Sequence, residues 1–184
     1  MRGRDKLLEP VDGRPVLRAV DEAALASRTA PVVVVLPPDA PGRAETLAGL
    51  GVETVEAAGC AEGMAASLRA GLAAVDARAD AVVVLLADMP EIGAADIDRL
   101  IAAFDPAEGR EIVRAVSADG RPGHPVLIGR RFFEDLRGLA GDQGARSVLA
   151  AAADFVVEVP TAGDAALVDL DTPEDWAAWR AARR

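Results

Sequence analysis

Continuous apolar runs alternate along this chain with segments of helical periodicity. The two clearest runs are Val32–Leu36, which ends at two prolines, and Ala81–Leu86, which is followed by Ala87-Asp88-Met89-Pro90. Runs of β-branched residues without polar alternation predict strands that are buried on both faces of a sheet. Shorter runs predict further strands at Val52–Val55, Glu111–Val116, Pro125–Ile128, Phe155–Val159 and Leu167–Leu170.

Helices are predicted between these strands. One of them carries Met64, Leu68, Leu72 and Val75 on a single face, because these residues recur at helical spacing. Another begins at Thr172, a good helix cap that is followed by a proline at the first helical position. The predicted helices are Pro15–Ala26, Gly42–Gly49, Gly63–Ala77, Ala94–Phe104, Arg130–Gly138, Ala145–Ala153 and Pro173–Ala182.

The alternation of strands and helices predicts the fold class. Strands separated by helices favour an α/β fold, with a mostly parallel sheet covered by helices on both faces. No Ser/Gly/Pro-rich linker and no internal repeat divides the 184 residues, so we expect one domain spanning residues 1–184. Ligands of such sheets bind beyond the carboxyl ends of the strands, which makes the residues after each apolar run the first candidates for chemistry.

The charge balance excludes several kinds of partner. With 20 basic and 30 acidic residues the formal charge is −10, which disfavours nonspecific binding to nucleic acid or to anionic membranes. No apolar run is long enough to cross a bilayer, and the amino terminus does not resemble a secretory signal. The single cysteine, Cys60, excludes an internal disulfide and a multi-cysteine metal site. We therefore expect a soluble cytoplasmic protein.

The only lysine in the chain is a candidate phosphate ligand. All the other basic residues apart from one histidine are arginines, so Lys6 stands out against its background. Its ammonium group is a compact point charge that suits a phosphate oxygen. The alternative is an ordinary solvated surface lysine.

Three aspartates follow apolar runs and are candidate metal ligands. Asp88 comes directly after the run Ala81–Leu86, while Asp169 and Asp171 lie in the motif VDLDTPED. Alternate positions of a strand share one face, so Asp88 and this pair could hold one Mg²⁺ together with phosphate oxygens. In the alternative reading Asp88 caps a turn, and Asp171 faces the amino end of the following helix.

Three glycine-containing loops carry further candidates. Gly63 allows close backbone approach at a predicted helix start, and Ser67 in the first turn either contacts a ligand or caps the helix. His124, the only histidine, lies in DGRPGHP and either contacts substrate or makes a structural hydrogen bond. Asp142 in GDQGAR is either a helix cap or a ligand for a substrate group.

Six motifs in their order along the chain resemble the MobA-like nucleotidyltransferases. They are KLLEPVDGRPVL, CAEGMAASLRAGL, LLADMP, DGRPGHPVLIG, GDQGAR and DLDTPED. The most similar branch of that family is the molybdenum cofactor cytidylyltransferases. The resemblance implies a three-layer Rossmann-like fold and an enzyme that transfers a nucleoside monophosphate from an NTP, with Mg²⁺, and releases pyrophosphate.

The resemblance also implies roles for individual residues. Lys6 matches the phosphate-binding lysine, and with Asp88 it forms the catalytic pair. Asp88 is the principal metal ligand, and Asp169 and Asp171 supply the second carboxylate. The implied nucleotide-binding residues are Lys6, Gly63, Ser67 and Asp88.

The implied acceptor is a phosphorylated pterin, contacted by His124 and Asp142. CTP is the favoured donor, and a molybdoenzyme is a further partner. Two other hypotheses remain open. One is a guanylyltransferase or another small-molecule nucleotidyltransferase with the same fold, and the other is a non-catalytic cofactor-binding or molybdoenzyme-maturation protein.

One departure from the family concerns the amino terminus. The family opens with a strand and a loop of the pattern LAAGxSxRMG, whereas this sequence begins with Met1-Arg2-Gly3-Arg4. We therefore expect a chain truncated relative to the family, lacking the first strand and most of the glycine-rich loop, with unpaired neighbouring strands and a gap in the core. Either Met1 is a methionine internal to that loop, which we favour, or the chain is naturally truncated.

Overall fold

The computed structural model describes residues 5–60, 63–142 and 144–183. Residues 1–4, on which the expectation of a truncated start rests, lie outside the described residues, as do Ala61, Glu62 and Gln143 of two glycine loops. The strands are β1 Pro10–Val11, β2 Arg14–Pro15, β3 Val33–Leu36, β4 Glu53–Glu56, β5 Ala81–Val84, β6 Ile112–Val116, β7 Pro122–Gly129 and β8 Val156–Pro160. The helices are α1 Val16–Leu25, α2 Pro41–Thr46, α3 Met64–Val75, α4 Ala94–Ala103, α5 Phe133–Arg137, α6 Arg146–Ala151 and α7 Pro173–Ala182. None of these helices is long and apolar enough to span a membrane.

The larger sheet has mixed topology. Its strand order is β5-β7-β6-β8, and β3 and β4 form a separate parallel pair. β6 and β8 are parallel, whereas β7 runs antiparallel to both β5 and β6. The reason is the short connection between β6 and β7, which at residues 117–121 is a hairpin loop rather than a crossover helix. The sheet is therefore less parallel than we predicted.

Helices cover both faces of this sheet, which confirms the three-layer α/β class. On one face, Ile112 of β6 and Ile128 of β7 pack against α3, α5 and α6. On the other face, Val113 of β6 and Leu127 of β7 pack against Leu100 of α4. The alternation follows from strand geometry, since successive side chains point to opposite faces.

Two predictions of local structure need correction. The segment Leu167–Leu170 is not a strand, because Ala165–Leu167 forms a 3₁₀ turn and the chain after it is irregular. The hairpin of β1 and β2 was missed, although its turn is an Asp-Gly pair, with Asp12 and Gly13 both at positive φ. That dipeptide is a recognised signal for a two-residue hairpin. Every other predicted strand and helix is present. The helix Pro173–Ala182 has the predicted boundaries and the others have shifted ones, and the predicted helix Arg130–Gly138 begins with a 3₁₀ turn before α5.

A large, mostly apolar cavity lies between β3 and β5. In the described part of the chain these strands do not pair with each other, and both line a space of about 730 Å³.

Candidate active site

Lys6 is positioned by a 3₁₀ turn that is held at both ends. The turn spans Lys6–Leu8, and the Asp5 side chain caps it by accepting a hydrogen bond of 3.0 Å from the amide of Leu7. Arg43 of α2 in turn donates to both carboxylate oxygens of Asp5, at 2.6 and 3.1 Å. Leu7 and Ala87 both pack against a cluster that includes Leu36, at the carboxyl end of β3. The lysine is therefore presented at the sheet edge where ligands of α/β folds bind.

Asp88 lies just beyond the carboxyl end of β5, as its position in the sequence predicted. The segment Val168–Asp171 is tied to it, because the amide of Leu170 donates to the carbonyl of Asp88 at 3.1 Å. Met89 beside it is 2% exposed and anchors the turn in the core. The backbone therefore brings two acid-bearing segments together at one edge of the sheet.

A single ammonium group bridges two carboxylates at this edge. The Nζ atom of Lys6 donates to Oδ2 of Asp88 at 2.5 Å and also to Oδ1 of Asp171. The Asp88 side chain is 15% exposed, whereas that of Asp171 is 59% exposed. Burial alone lowers the pKa of Lys6, but the hydrogen bonds to Asp171 and Asp88 together raise it above its ordinary value. Lys6 is therefore charged at neutral pH and is not a solvated surface lysine.

Asp171 is not needed to cap α7. Thr172 occupies the N-cap position and accepts a hydrogen bond from the amide of Asp175. The Asp175 carboxylate in turn accepts from the amide of Thr172. This capping box satisfies the helix end without Asp171, whose carboxylate accepts a hydrogen bond from Lys6.

Asp169 lies outside the Lys6 bridge. The negative charge of Asp169 favours the protonated form of His124 and so acts to raise its pKa, against the larger effect of burial. The amide of Asp169 donates to the carbonyl of Leu167. Within residues 5–60, 63–142 and 144–183, no group of three or more His, Cys, Asp or Glu side chains is arranged to hold a metal ion. The carboxylates that meet on one cation are those of Asp88 and Asp171.

His124 lies in β7 beside β5 and close enough to Asp88 for their charges to interact. Burial lowers the pKa of His124, and a hydrogen bond to the backbone of Val84 together with the charges of Asp88 and Asp169 offsets part of this effect. The imidazole is therefore neutral at pH 7. Its Nδ1 atom is buried and has no hydrogen-bond partner among the described residues. His124 thus makes the structural hydrogen bond considered from the sequence and keeps one nitrogen available.

Two of the glycine loops pack directly against each other. Gly63 has φ +126°, and a Cβ atom there would lie 2.4 Å from the backbone carbon of Gly141 and 2.5 Å from Oδ1 of Asp142. The amide of Ala65 donates to the carbonyl of Gly141 at 3.2 Å. The start of α3 and the 141–142 loop therefore meet, which puts the predicted nucleotide-binding Gly63 next to the predicted acceptor-binding Asp142.

Ser67 and Asp142 occupy different environments. Ser67 is half-buried on α3 and lines the cavity between β3 and β5. Asp142 is exposed, and it does not cap α6, whose N-cap position is held by Ala145. The helix-cap alternative for Asp142 is therefore wrong.

Two residues that were not identified from the sequence fix the Lys6 turn. Asp5 caps the turn and Arg43 holds Asp5, so both orient the lysine without touching its ammonium group. Partial burial works against ionisation of Asp5, but the hydrogen bond from Arg43 and that from the Leu7 amide keep its pKa below the usual value. An aspartate directly before Lys6-Leu7-Leu8 is a usable signal for such a turn, whereas Arg43 is 38 residues away and carries no local signal.

Comparison with known proteins identifies the class to which this fold and site belong. Residues 1–156 match the family described as the MobA-like NTP transferase domain. The chain is similar to the purine catabolism protein PucB of Bacillus subtilis, with 33% identity over 101 residues. That match covers 53% of this chain and 46% of PucB, so it spans about half the length of the curated relative.

Solved structures of similar proteins match a larger part of this chain than PucB does. The crystal structure of Rv0371c from Mycobacterium tuberculosis superposes with a TM-score of 0.82 at 30% identity, covering 96% of this chain and 89% of that chain. A second structure of Rv0371c, described as a complex with manganese, gives a TM-score of 0.79 at 28% identity, covering 94% and 89%.

This chain belongs to the MobA-like NTP transferase family. Its fold is that of the Rossmann-like nucleotidyltransferases, and the family to which it belongs is one of enzymes of the nucleotidyltransferase class.

Proposed function

We propose that this protein catalyses the Mg²⁺-dependent transfer of cytidine monophosphate from CTP to the phosphate of molybdopterin, with release of pyrophosphate. The observation that carries the proposal is the bridge from Lys6 to Asp88 and Asp171 at the carboxyl edge of the sheet. We further propose that residues 1–184 act as one nucleotidyltransferase domain in the cytoplasm, with a molybdoenzyme as an additional partner.

Asp88 and Asp171 are the residues that would hold the metal ion. The fit is supported by the fact that both carboxylates already converge on one positive charge. Carboxylate oxygens are hard ligands, and Mg²⁺ usually takes one or two of them and completes its shell with water and phosphate oxygens. The manganese complex of Rv0371c supports a divalent cation in this fold. When bound, the cation would neutralise charge on the transferred and departing phosphates.

Lys6 is proposed to stabilise the triphosphate during the reaction. A phosphate oxygen of the acceptor attacks the α-phosphorus of the NTP, and the bond from that phosphorus to the bridging oxygen of the β-phosphate breaks. The electron pair leaves with pyrophosphate. Such a displacement needs positioning and charge neutralisation rather than a covalent nucleophile. An ammonium group kept charged by two carboxylates suits this role.

The remaining predicted residues are proposed to position the two substrates. Gly63 and Ser67 contact the nucleotide, and His124 and Asp142 contact the acceptor. The close packing of Gly63 on the 141–142 loop supports this proposal, because donor and acceptor sites must adjoin for direct transfer. The available Nδ1 atom of a neutral His124 supplies one hydrogen-bonding group for the acceptor.

The test is pyrophosphate release from each of the four NTPs with molybdopterin and Mg²⁺. We expect release with CTP to exceed that with GTP, ATP or UTP, and Lys6→Met to lower it about 100-fold, a typical loss for one group that stabilises transferred charge. Glu134→Gln is the matched control, since it also removes one charged group, from an exposed ion pair on α5.

Three results would overturn the proposal. Equal activity of wild type and Lys6→Met would remove Lys6 from the reaction. A preference for GTP would assign the chain to guanylyl transfer instead. Binding of CTP and pterin without any pyrophosphate release would favour the cofactor-binding hypothesis.

A further inference from the structure

One row of residues crosses all four strands of the larger sheet at the carboxyl end of β5. Val84 lies opposite Val126, which in turn lies opposite Arg114, and Arg114 also lies opposite Glu158 of β8. Residues directly opposite each other in neighbouring strands share one face of the sheet. Val84 and Val126 pack in the cluster that contains Ala65 at the start of α3. These four opposed residues, the cross-strand row, therefore lie on the face that α3 covers.

Arg114 in this row has a hydrogen-bonding group that the chain leaves unused. Its Nη2 atom donates to the carboxylate of Glu158, which fixes the orientation of the guanidinium. Its Nε atom is buried and has no hydrogen-bond partner within residues 5–60, 63–142 and 144–183. In an ordinary surface ion pair this group is hydrated, and a buried N–H without a partner is costly. The burial of Nε therefore calls for a partner that the described residues do not supply.

His124 provides a second unused group at the β5 end of the same row. The pairing of β6 with β7 changes register between Arg114 and Val116, and such irregularities redirect side chains. The neutral imidazole of His124 donates to the backbone of Val84, and its Nδ1 atom is buried without a partner among the described residues. Because the other ring nitrogen is the donor, Nδ1 carries a lone pair and can accept a hydrogen bond. The row thus offers one acceptor beside β5 and one donor on β6.

The spacing of these two groups suits an elongated ligand. Val84 and Arg114 are two strands apart, and strands are spaced by roughly 4.8 Å, so their backbones are separated by on the order of 10 Å. Asp88 and Lys6 meet just beyond the carboxyl end of β5. A ligand whose phosphate lies at Asp88 therefore passes His124 first and reaches Arg114 with its far end.

The 141–142 loop borders the same path. The amide of Ala65 donates to the carbonyl of Gly141 at 3.2 Å, and Ala65 packs in the cluster of Val84 and Val126. The loop that carries Asp142 is therefore on the face of the cross-strand row. Arg114 adds a permanent positive charge to this face, and its planar fork of donors suits an oxygen-bearing or anionic group.

We infer that Arg114 binds the end of the acceptor that is farthest from its phosphate. The guanidinium, oriented by Glu158, donates to a carbonyl oxygen or another hydrogen-bond acceptor there, and His124 accepts an N–H from the middle of the same ligand. A phosphorylated pterin has both kinds of group, because its ring carries N–H donors and a carbonyl oxygen. The inference rests on the proposed function in its use of a phosphorylated acceptor. Arg114 is then a specificity-determining residue that takes no part in the chemical step.

The test compares the binding of two probes to the full chain. Hydroxymethylpterin monophosphate has both the phosphate and the ring, whereas methyl phosphate lacks the ring. We expect Arg114→Met to weaken binding of the pterin probe roughly 10- to 100-fold, the range for losing a hydrogen bond from a charged group, and to leave binding of methyl phosphate unchanged. Arg114→Lys should not restore binding, because an ammonium group lacks the fork of donors. Pterin fluorescence measures the first probe and phosphorus NMR the second.

Arg110→Met is the matched control for these measurements. It also removes an arginine from an ion pair, the exposed pair with Asp105, but at the opposite end of β6. Binding of both probes should therefore be unchanged in this variant.

Steady-state turnover separates binding from chemistry. In Arg114→Met the KM for molybdopterin should rise by the same factor as the probe affinity falls, whereas kcat and the KM for CTP should change less than about twofold. A purely structural role of Arg114 would affect both substrates alike.

Three outcomes would overturn the inference. Equal binding of the pterin probe by wild type and Arg114→Met would mean that Arg114 does not contact the acceptor. An equal loss for both probes would mean that Arg114 acts on the phosphate end or on the fold. No binding of the pterin probe by the wild type would mean that the cross-strand row does not take such a ring. Pyrophosphate release by the wild type decides the proposed function separately, so the two failures are distinguishable.

Discussion

The four-stranded sheet and the β3–β4 pair contain similar apolar runs but differ in how completely they are packed. Val113 in β6 is 0% exposed, because neighbouring strands and α4 surround it. Val35 in β3 is only half-buried, because its strand is paired along one edge and borders the cavity. Burial therefore depends on neighbours as well as on hydrophobicity, and the same residue type contributes differently in the two regions. Lys6 lies where the regions meet, since its turn packs against the end of β3 while its ammonium group binds Asp88 after β5.

The largest expected effect is a pH dependence of protein stability that is caused by Asp21, which lines the cavity. The pKa of Asp21 is raised from 3.8 to about 7, so the folded state keeps a proton that the unfolded state loses. The contribution of Asp21 to stability is therefore greatest below about pH 4, falls as the pH rises from 4 to about 7, and is lost above that range. The loss is about 4 kcal/mol, since each pKa unit corresponds to roughly 1.4 kcal/mol.

Denaturant unfolding at pH 4, 6 and 8 tests this prediction. We expect Asp21→Asn to remove most of the decline and to be more stable than wild type at pH 8. Asp98→Asn, which changes a partly exposed ion pair with Arg28, is the control. An unchanged decline in Asp21→Asn would mean that Asp21 does not carry the effect.

Matched valine substitutions test the packing difference directly. Val113→Ala removes two methyl groups from a fully buried position and should cost roughly 2–3 kcal/mol. Val35→Ala beside the cavity should cost less than about 1 kcal/mol, because part of that side chain already faces unfilled space. Thermal or denaturant unfolding measures both. Equal losses would mean that the β3 region is as tightly packed as the sheet.

Gly63→Ala tests the contact between α3 and the 141–142 loop. The new Cβ would lie 2.4 Å from the Gly141 backbone, in a conformation with φ +126° that L-residues rarely adopt. We expect a loss of about 1–3 kcal/mol in the free energy of unfolding. Gly120→Ala, also at positive φ but with no atom within 4 Å, separates backbone strain from the clash. Equal losses in the two variants would mean that the clash adds nothing.

The smallest expected effect distinguishes the two acids of the VDLDTPED motif. Asp171→Asn removes a carboxylate that contacts Lys6 and should lower turnover about tenfold, in the range for weakening a metal site. Asp169→Asn lies outside that contact and should change turnover less than about twofold, within the range of ordinary exposed charges. Steady-state pyrophosphate release compares the two variants. A larger loss with Asp169→Asn would reverse this assignment.

The candidate site could be predicted in part from the sequence. The rule that ligands bind at carboxyl ends of strands singled out Asp88, and the scarcity of lysine singled out Lys6. The sequence did not decide between Asp169 and Asp171 as the second carboxylate, because both were placed on one face of a predicted strand. That segment forms a 3₁₀ turn followed by irregular backbone instead. Arg43 could not be found at all, since its contact with Asp5 exists only after α2 packs beside the turn.

By itself, the sequence determined the positions of nearly all the strands and helices, the α/β class and the family to which the chain belongs. These properties depend on local periodicity and on motifs, which are written in consecutive residues. Only the tertiary structure decided the antiparallel direction of β7, the meeting of Lys6 with Asp88 and Asp171, and the orphaned carboxylate of Asp21 beside the cavity. Each of these depends on which distant segments become neighbours, and the free energy of that choice comes from packing over the whole molecule rather than from any one stretch of chain.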